Sequence, residues 1–484
     1  MRQRKMHFIG IGGAGMSGLA QILLAQGVAV SGSDLSASAA TRRLRALGAR
    51  VYIGHRASHV HQEAPDTVVI SSAVPPGNPE LVAARERRIP VVTRGELLAR
   101  LMEERVGIAV AGTHGKTTTT SMIALSLERA GLDPTIAIGG ELHDIGSNAK
   151  LGHGPYFVAE ADESDRSFLH LRPRIAVVTN IEADHLENYG STADIVQAFR
   201  QFVGQVPADG LVVLGIDNAH AAGLAPLPCR HVTYALERPA DYTVRDVRLA
   251  GMGSRSVVLE RGTPLGELEL RVPGLHNIAN ALAAVAVGRH LGIEFPALAR
   301  ALAGFRGAKR RFEILGEERG ILVIDDYAHH PTEIRATLAA ARPLYRRVVA
   351  VFQPHRYTRT QYFWRELAES FGDADCLVLT DIYAALEQPI PGVTIERMYA
   401  AARAAGGDKV HLVRDKEAIP GYLLALTRPG DVVITLGAGD VRRVGEQFLA
   451  LLRAGEAMVA HLTGPGGPRA QQPANRRPGG GPAG

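Results

Sequence analysis

Cysteine is nearly absent from this chain. Cys229 and Cys376 are too few and too far apart for a disulfide framework or a zinc site, which suits a reducing cytoplasm. No apolar run reaches the ~18 residues that a membrane span needs, so no membrane insertion is expected. A large excess of one charge is also missing. The net charge is +5, and Arg469, Arg476 and Arg477 at the extreme C-terminus supply three of those positives. The rest is close to neutral, and nothing points to a nucleic-acid-binding surface. Lysine is scarce, with six residues against 48 arginines. Arg2, Arg4 and Lys5 before an apolar stretch mimic a signal peptide. The glycines at 10, 12, 13, 15 and 18 fit a strand, loop and helix better.

What is present is an α/β pattern on a chain of 484 residues, long enough for about three domains at ~150 residues each. Strand-like and helix-like segments alternate almost throughout, as expected for parallel sheets covered by helices. The blocks expected are 1–105, 106–311 and 312–462. Runs such as "RSVVLERG" between about 240 and 272 read as antiparallel strands. Residues 463–484 are rich in proline and glycine and are expected to be disordered, because they bury too little apolar area to offset their ordering entropy.

Two glycine loops open helices. In "HFIGIGGAGMSGLA", Gly10, Gly12 and Gly15 fit the dinucleotide-binding spacing, and Asp34 ends the next apolar run, where a ribose-binding acid would sit. That loop alone leaves open a nicotinamide or flavin enzyme or another use of the same phosphate-binding geometry. In "AVAGTHGKTTTT", a strand leads into Gly112, Thr113, His114, Gly115, Lys116, Thr117 and Thr118. A triphosphate needs these parts: backbone N–H groups at a helix N-terminus, a compact ammonium on Lys116 for the β/γ-phosphates, and the Thr117 hydroxyl for Mg²⁺. Val110 stands where the usual pattern has its first glycine, which here is Gly112. The helix is expected to run to a C-terminal stop at Gly131.

Acids and histidines collect at strand ends, where ligands gather in such sheets. "PYFVAEADESD" ends in Glu160, Asp162, Glu163 and Asp165, and "IAVVTNIEADHLENYG" in Asn180, Glu182, Asp184 and His185. A carboxylate and an imidazole near a phosphate-loop threonine are able to complete a metal site. The third block adds Asp325, Asp326, Tyr327, His329 and His330, then His355, Arg356 and Arg359. Basic groups of this kind suit a carboxylate or phosphate ligand.

Nine motifs in order resemble the Mur ligases, the ATP-dependent amide-forming enzymes of peptidoglycan precursor synthesis. They are "GIGGAGMSGLA", "GTHGKTTTT", "AEADESDRSFL", "TNIEADHLENYG", "GLHNIANALAA", "KRRFE", "DDYAHHPTEI", "QPHRYTRT" and "GAGD", covering nearly all of residues 7–460. The resemblance implies three domains: a Rossmann-like UDP-sugar domain, a central P-loop ATPase-type domain and a C-terminal Rossmann-like domain. It implies ATP with Mg²⁺ or Mn²⁺ as cofactors, UDP-N-acetylmuramate and L-alanine as substrates, an acyl phosphate between them, and a cytoplasmic monomer or homodimer. It places the UDP-sugar pyrophosphate against Gly12, Gly13, Ala14, Gly15, Met16 and Ser17, with Asp34 and Ser71 close by. The nucleotide lies on Gly112–Thr118 with Asn277 and Asn280 near the adenine. Lys116 contacts the γ-phosphate, Arg311 lies near the transferred phosphate, Thr117 and Glu160 hold one Mg²⁺, and His185 ligates a second metal. Tyr327, His329, His355, Arg356 and Arg359 lie near the incoming amino acid, and Lys116, His185, Arg311, His329 and Arg356 carry the catalysis.

Two departures stand out. Several sister enzymes use a carbamylated lysine near the metal, but no lysine lies between Lys150 and Lys309, so that group is excluded from this stretch. Leu386 stands where the family pattern calls for glycine. The nearest alternative is the family member that recycles a cell-wall tripeptide onto the same UDP-sugar. Folylpolyglutamate synthase shares the ATPase plan but lacks the first domain. An NAD(P)-dependent oxidoreductase leaves the second glycine loop unused. A catalytically dead scaffold is expected to have lost Lys116, Thr117, Glu160 or His185, and all four are present.

Overall fold

In the computed structural model, residues 4–463 are described and fall into three sheets. Beyond Thr463 the expectation of a disordered tail lies outside the described residues. The first sheet is fully parallel. Its strands β1 (Lys5–Ile9), β2 (Ala29–Asp34), β3 (Arg50–Ile53), β4 (Thr67–Ile70) and β5 (Val91–Thr93) run in the order β3-β2-β1-β4-β5. Strand order reverses between β1 and β4, so the loop leaving β1 opens at a switch point, where such sheets take ligands.

The second sheet has ten strands: β6 (Val106–Ala111), β7 (Thr135–Leu142), β8 (Ser147–Lys150), β9 (Tyr156–Glu160), β10 (Ile175–Val178), β11 (Leu211–Gly215), β12 (Arg230–Tyr234), β13 (Tyr242–Ala250), β14 (Gly253–Glu260) and β15 (Thr263–Leu270). The order is β15-β14-β13-β12-β11-β10-β6-β9-β7-β8. Its middle is parallel, and β13–β15 form the antiparallel run read from the sequence. In β6 the side chains alternate between two cores. Ile108 and Val110 pack with Met122 and Ile123 of the helix Lys116–Arg129, and Ala109 and Ala111 face a second cluster with Phe168, Phe199 and Phe202.

The hairpin β7–β8 has no clear sequence signal, because "SNAK" is polar. Neighbours hold it. The helix Ala14–Ala25 from the first sheet lies on β8, where Gln21 Nε2 donates to Ala149 O at 2.7 Å and Ser147 Oγ donates to Gln21 Oε1 at 2.9 Å.

The third sheet comprises β16 (Glu313–Glu318), β17 (Ile321–Asp326), β18 (Arg347–Phe352), β19 (Cys376–Leu379), β20 (Val410–Leu412) and β21 (Asp431–Leu436) in the order β16-β17-β21-β18-β19-β20. Only β16 is antiparallel. In the loop after β19, Leu386 has φ 71° and is 87% exposed. That is the left-handed conformation glycine adopts freely, so the family's glycine has a local backbone reason.

Beneath the first sheet Glu80 is fully buried among polar groups. Its carboxylate accepts from His59 Nδ1 at 2.5 Å and from the Ser33 hydroxyl, and His7 Nε2 lies 3.6 Å away. Burial alone would raise its pKa, but His7, Ser33 and His59 hold it down at about 2. A depressed carboxyl pKa stabilises the fold in full above the unfolded value of ~4.3 and loses that stabilisation as pH falls toward the folded value. Glu80→Ala is therefore expected to cost about 3 kcal/mol at pH 7, because it strands buried histidines and a hydroxyl. Chemical denaturation at several pH values checks this. The gap from wild type should narrow as pH falls from ~4.3 toward the folded pKa of about 2.

Candidate active site

The second glycine loop is short and tightly fastened. β6 runs through Val110, which pairs with Val177 and Glu160 in the sheet interior, so the loop begins only at Gly112. Gly112 has φ 143°, and a Cβ there would fall 1.9 Å from Thr179 Oγ1, so no other residue fits. Thr113 N donates to Asn180 O at 3.0 Å, His114 N to Asn180 Oδ1 at 2.9 Å, and Thr179 Oγ1 to His114 O at 2.6 Å. Gly115, at φ 81°, starts the helix Lys116–Arg129 with no side-chain cap, which leaves the first-turn amides for an anion. Gly131, at φ 77°, lies just past its end.

Lys116 lies across the loop mouth. Its ammonium donates to Gly112 O (2.6 Å), Thr113 O (3.0 Å) and Glu163 Oε1 (2.9 Å). Burial works against its charge, but Glu163 and Glu160 outweigh burial and hold its pKa above the ordinary lysine value. Thr117 Oγ1 donates to Glu160 Oε2 at 3.0 Å, and Gly139 N donates to the same oxygen at 2.8 Å.

Two chambers meet at this loop, and a third adjoins one of them. A cavity of about 380 Å³ runs past Gly115, Thr117, Thr118, Asn277 and Asn280, with Tyr234, Val272, Ala279 and Phe305 as apolar walls. A second, of about 540 Å³, is lined by Lys116, Glu160, Asp162, Glu163, His185, Tyr327, His329, His355, Arg356 and Arg359. His114, Thr117, Arg311 and Glu333 line both. A third, of about 310 Å³, lies at the first glycine loop, lined by Gly12, Ala14, Ser17, Ser38, Arg43 and Asn148. It shares Ala14, Gly139, Gly140 and Glu141 with the second. The helix Ala14–Ala25 that starts there also lacks a side-chain cap.

The third sheet roofs the middle chamber. Arg359 grips Asp184 of the central sheet through Nε (3.2 Å) and Nη2 (3.0 and 3.1 Å), with both side chains buried. Arg356 Nη1 reaches Glu187 at 3.1 Å. Burial disfavours a charge on Asp184, but Arg359 and then His185 hold its pKa far below the ordinary carboxylate range. His329 and His355 are neutral. Burial, reinforced by Arg359 beside His329 and by His329 and Arg359 beside His355, lowers their pKa values to about 3 and about 2. His329 Nδ1 lies 2.8 Å from Tyr327 O, which fixes the proton on Nδ1 and leaves Nε2 as an acceptor. Arg311 stacks on the Tyr327 ring at 5.3 Å.

Some residues marked in the sequence lie elsewhere. Asp34 lines none of these chambers; its Oδ2 accepts from Gly12 N at 2.8 Å, so it braces the glycine loop. Ser71 ends β4 outside the three linings, and the Met16 side chain is buried in the core, leaving only its backbone N–H near the loop. Sequence reasoning missed Arg94, which ends β5, lines the middle chamber and donates to Asp162 Oδ2 at 2.9 Å. Its position after a strand was the available signal. Glu333, between His114 Nδ1 (3.3 Å) and Arg311 Nη1 (3.5 Å), was hidden inside a helix.

Three family models match in succession: "Mur ligase family, catalytic domain" over residues 5–106, "Mur ligase middle domain" over 110–288 and "Mur ligase, glutamate ligase domain" over 310–439. The chain belongs to the Mur ligase family. Within it, the chain is 53% identical over 457 residues to the UDP-N-acetylmuramate–L-alanine ligase of Pelotomaculum thermopropionicum, covering 93% of this chain and 98% of that one. The enzyme of the same name from Geotalea daltonii is 51% identical over 451 residues, with the same shares covered. Among solved structures, the fold is similar to UDP-N-acetylmuramate-alanine ligase MurC from Thermotoga maritima, with TM-score 0.81, 32% identity and 93% and 99% of the two chains covered. A murein peptide ligase from Psychrobacter arcticus gives TM-score 0.70 at 26% identity, covering 93% and 98%.

The Asp184–Arg359 pair generates a test. Asp184→Ala and Arg359→Ala are each expected to cost about 3–5 kcal/mol, because each leaves one charge buried without its partner. The double variant should cost no more than the worse single one, and a denaturation double-mutant cycle measures the coupling.

Proposed function

We infer that the chain joins L-alanine to the lactyl carboxylate of UDP-N-acetylmuramate, with ATP cleaved to ADP and phosphate. The observation that carries this reading is the row of chambers, with an uncapped glycine-loop helix at each end and a charged middle shared with both. The first loop then serves a UDP-sugar pyrophosphate rather than a redox dinucleotide. A carboxylate oxygen attacks the γ-phosphorus, the bond to the bridging oxygen breaks, and ADP leaves an acyl phosphate behind. The amine nitrogen of alanine attacks the acyl carbon, the acyl C–O bond to phosphate breaks, and the proton lost from the nitrogen leaves with the phosphate.

The residues suit these steps. Lys116 exchanges Glu163 for phosphate oxygens at the loop mouth, and Arg311 faces the transferred group. His329 and His355, being neutral, receive hydrogen bonds from the incoming amine without repelling it. Arg356 lies where the amino-acid carboxylate would be held, and Asn277 and Asn280 flank the adenine chamber. Thr117 and Glu160 offer a hydroxyl and a carboxylate, a hard oxygen set that fits Mg²⁺, and His185 lies on the same wall for a second ion. When bound there, the metal neutralises charge developing on the phosphates. The chemistry asked of the protein is mainly positioning and charge neutralisation. No helix among the described residues is long and apolar enough to cross a membrane, and a cytoplasmic setting is part of this proposal.

The tripeptide-recycling reading is less favoured. Relatives at about 50% identity over 93% of this chain or more carry the alanine-ligase name, whereas the two tripeptide-ligase structures fit at 26% and 32%.

Phosphate release from ATP, measured with UDP-N-acetylmuramate and a panel of amino acids and the tripeptide, tests the assignment. Turnover should depend on L-alanine; turnover with the tripeptide alone would overturn it. Lys116→Ala is expected to lose ~10³-fold or more in rate while UDP-sugar binding stays near wild type, since the lysine acts in another chamber. His185→Ala should raise the Mg²⁺ concentration for half-maximal activity by ~10-fold or more, read from metal titrations of turnover.

A further inference from the structure

A cluster between the central and third sheets borders the nucleotide chamber, and the reaction above asks nothing of the Glu182 and His330 side chains in it. His114 Nε2 lies 3.4 Å from Glu182 Oε2, and His330 Nδ1 lies 3.7 Å from the same oxygen. One ligand atom from each of the three residues falls within 4.8 Å of the others. Donors of a tetrahedral ion with bonds of ~2.0–2.1 Å stand ~3.3 Å apart, so little movement brings these three onto one centre. The two ring nitrogens of His114 face the carboxylates of Glu182 and Glu333, and His330 Nε2 is buried without a hydrogen-bond partner. His330 is 4% exposed, and its Nδ1 receives only a long contact from Thr332 N at 3.4 Å.

The outer contacts match those of a metal-binding histidine. On the far side of the His114 ring, Nδ1 faces Glu333 Oε1 at 3.3 Å. A carboxylate behind the ring fixes the tautomer that leaves Nε2 free to ligate. The Thr332 hydroxyl donates to Glu182 Oε2 at 2.7 Å and orients the carboxylate. Two imidazoles and one carboxylate form a borderline donor set, which suits Zn²⁺ or another late first-row ion and not the oxygen-seeking Mg²⁺.

We propose that His114, Glu182 and His330 form a site for a zinc-class divalent ion that staples the third domain to the phosphate loop and slows turnover. The site is distinct from the Thr117–Glu160 pair. It draws its ligands from the glycine loop, from the loop after β10 and from the start of the helix Pro331–Ala341, so occupancy ties together parts that form one wall of the nucleotide chamber.

The test uses the full chain with Mg²⁺ in excess and Zn²⁺ or Co²⁺ as probe. Wild type should bind one ion, give the intense visible bands of tetrahedral Co²⁺, and lose phosphate-release activity as Zn²⁺ is added. His330→Asn keeps a helix-capping acceptor and removes the imidazole. It should retain Mg²⁺-dependent turnover, bind Zn²⁺ at least ~10-fold more weakly and resist inhibition. Glu160→Gln should bind Zn²⁺ as wild type does, which separates this site from the proposed Mg²⁺ site. If His330→Asn fails to fold, Glu182→Gln reads the same loss of Zn²⁺ affinity by calorimetry. Unchanged affinity in either folded variant, loss of zinc in Glu160→Gln, or equal inhibition of wild type and His330→Asn overturns the proposal.

Discussion

The buried grip of Arg359 on Asp184 is the contact on which the site's geometry depends. Asp184 follows a strand of the central sheet, and Arg359 lies in the first turn of the helix Tyr357–Ala368 that follows β18. The two meet only when the carboxyl ends of both sheets face each other. Neither charge is tolerable alone in so dry a place, so each fixes the other. His329, His355 and Arg356 are thereby carried over the phosphate loop. The same closure explains the neutral imidazoles: two histidines crowded against arginines in a desolvated roof have every reason to stay uncharged.

The phosphate loop shows the same economy of charge. Lys116 is held by two loop carbonyls and Glu163, the arrangement expected of a cation whose ligand is a phosphate. The carboxylate keeps the lysine charged and aimed, and a triphosphate brings more negative charge to the same point. Glu160 does the equivalent for Thr117, fixing the hydroxyl where hard oxygen donors are needed. These side chains are placed before any substrate arrives, so little reorganisation is left for the reaction itself.

Much of this was legible in the sequence, for reasons that differ by element. Gly112, Gly115 and Lys116 could be read because a phosphate loop demands particular residue types at fixed spacing. The antiparallel run of β13–β15 showed itself by alternation. β8 did not, because its "SNAK" owes its place to a helix from another sheet and not to its own apolarity. Asp34 ends β2, where a ribose-binding acid would sit, and one oxygen of its carboxylate also accepts from Gly12 N, a bracing contact that the motif does not announce. Arg94 and Glu333 were missed for opposite reasons: one sat at a strand end without a motif around it, and the other, the single acid of its helix, lay inside "DDYAHHPTEI" beside a tyrosine and two histidines that drew the reading. Their roles arise from folding distant segments together, which single-sequence periodicity does not encode.

The order of the chambers carries the last step. An acyl phosphate is reactive toward water as well as toward an amine, so the centre where it forms must be the part of the groove that can be sealed. In the proposed assignment that part is the middle chamber. The two end chambers are built on glycine loops of the first and second sheets; the third lends Asp326, Thr332, Glu333 and Ala336 to the nucleotide chamber and a wall of basic and aromatic side chains to the middle one. Tyr327, His329, His355 and Arg356 belong to that wall, so in the proposed reaction the element that faces the amine also excludes water. Phosphoryl transfer and amide formation then need no separate sites. One closure, fastened by Arg359 and Asp184, serves both the making of the activated carboxylate and its capture.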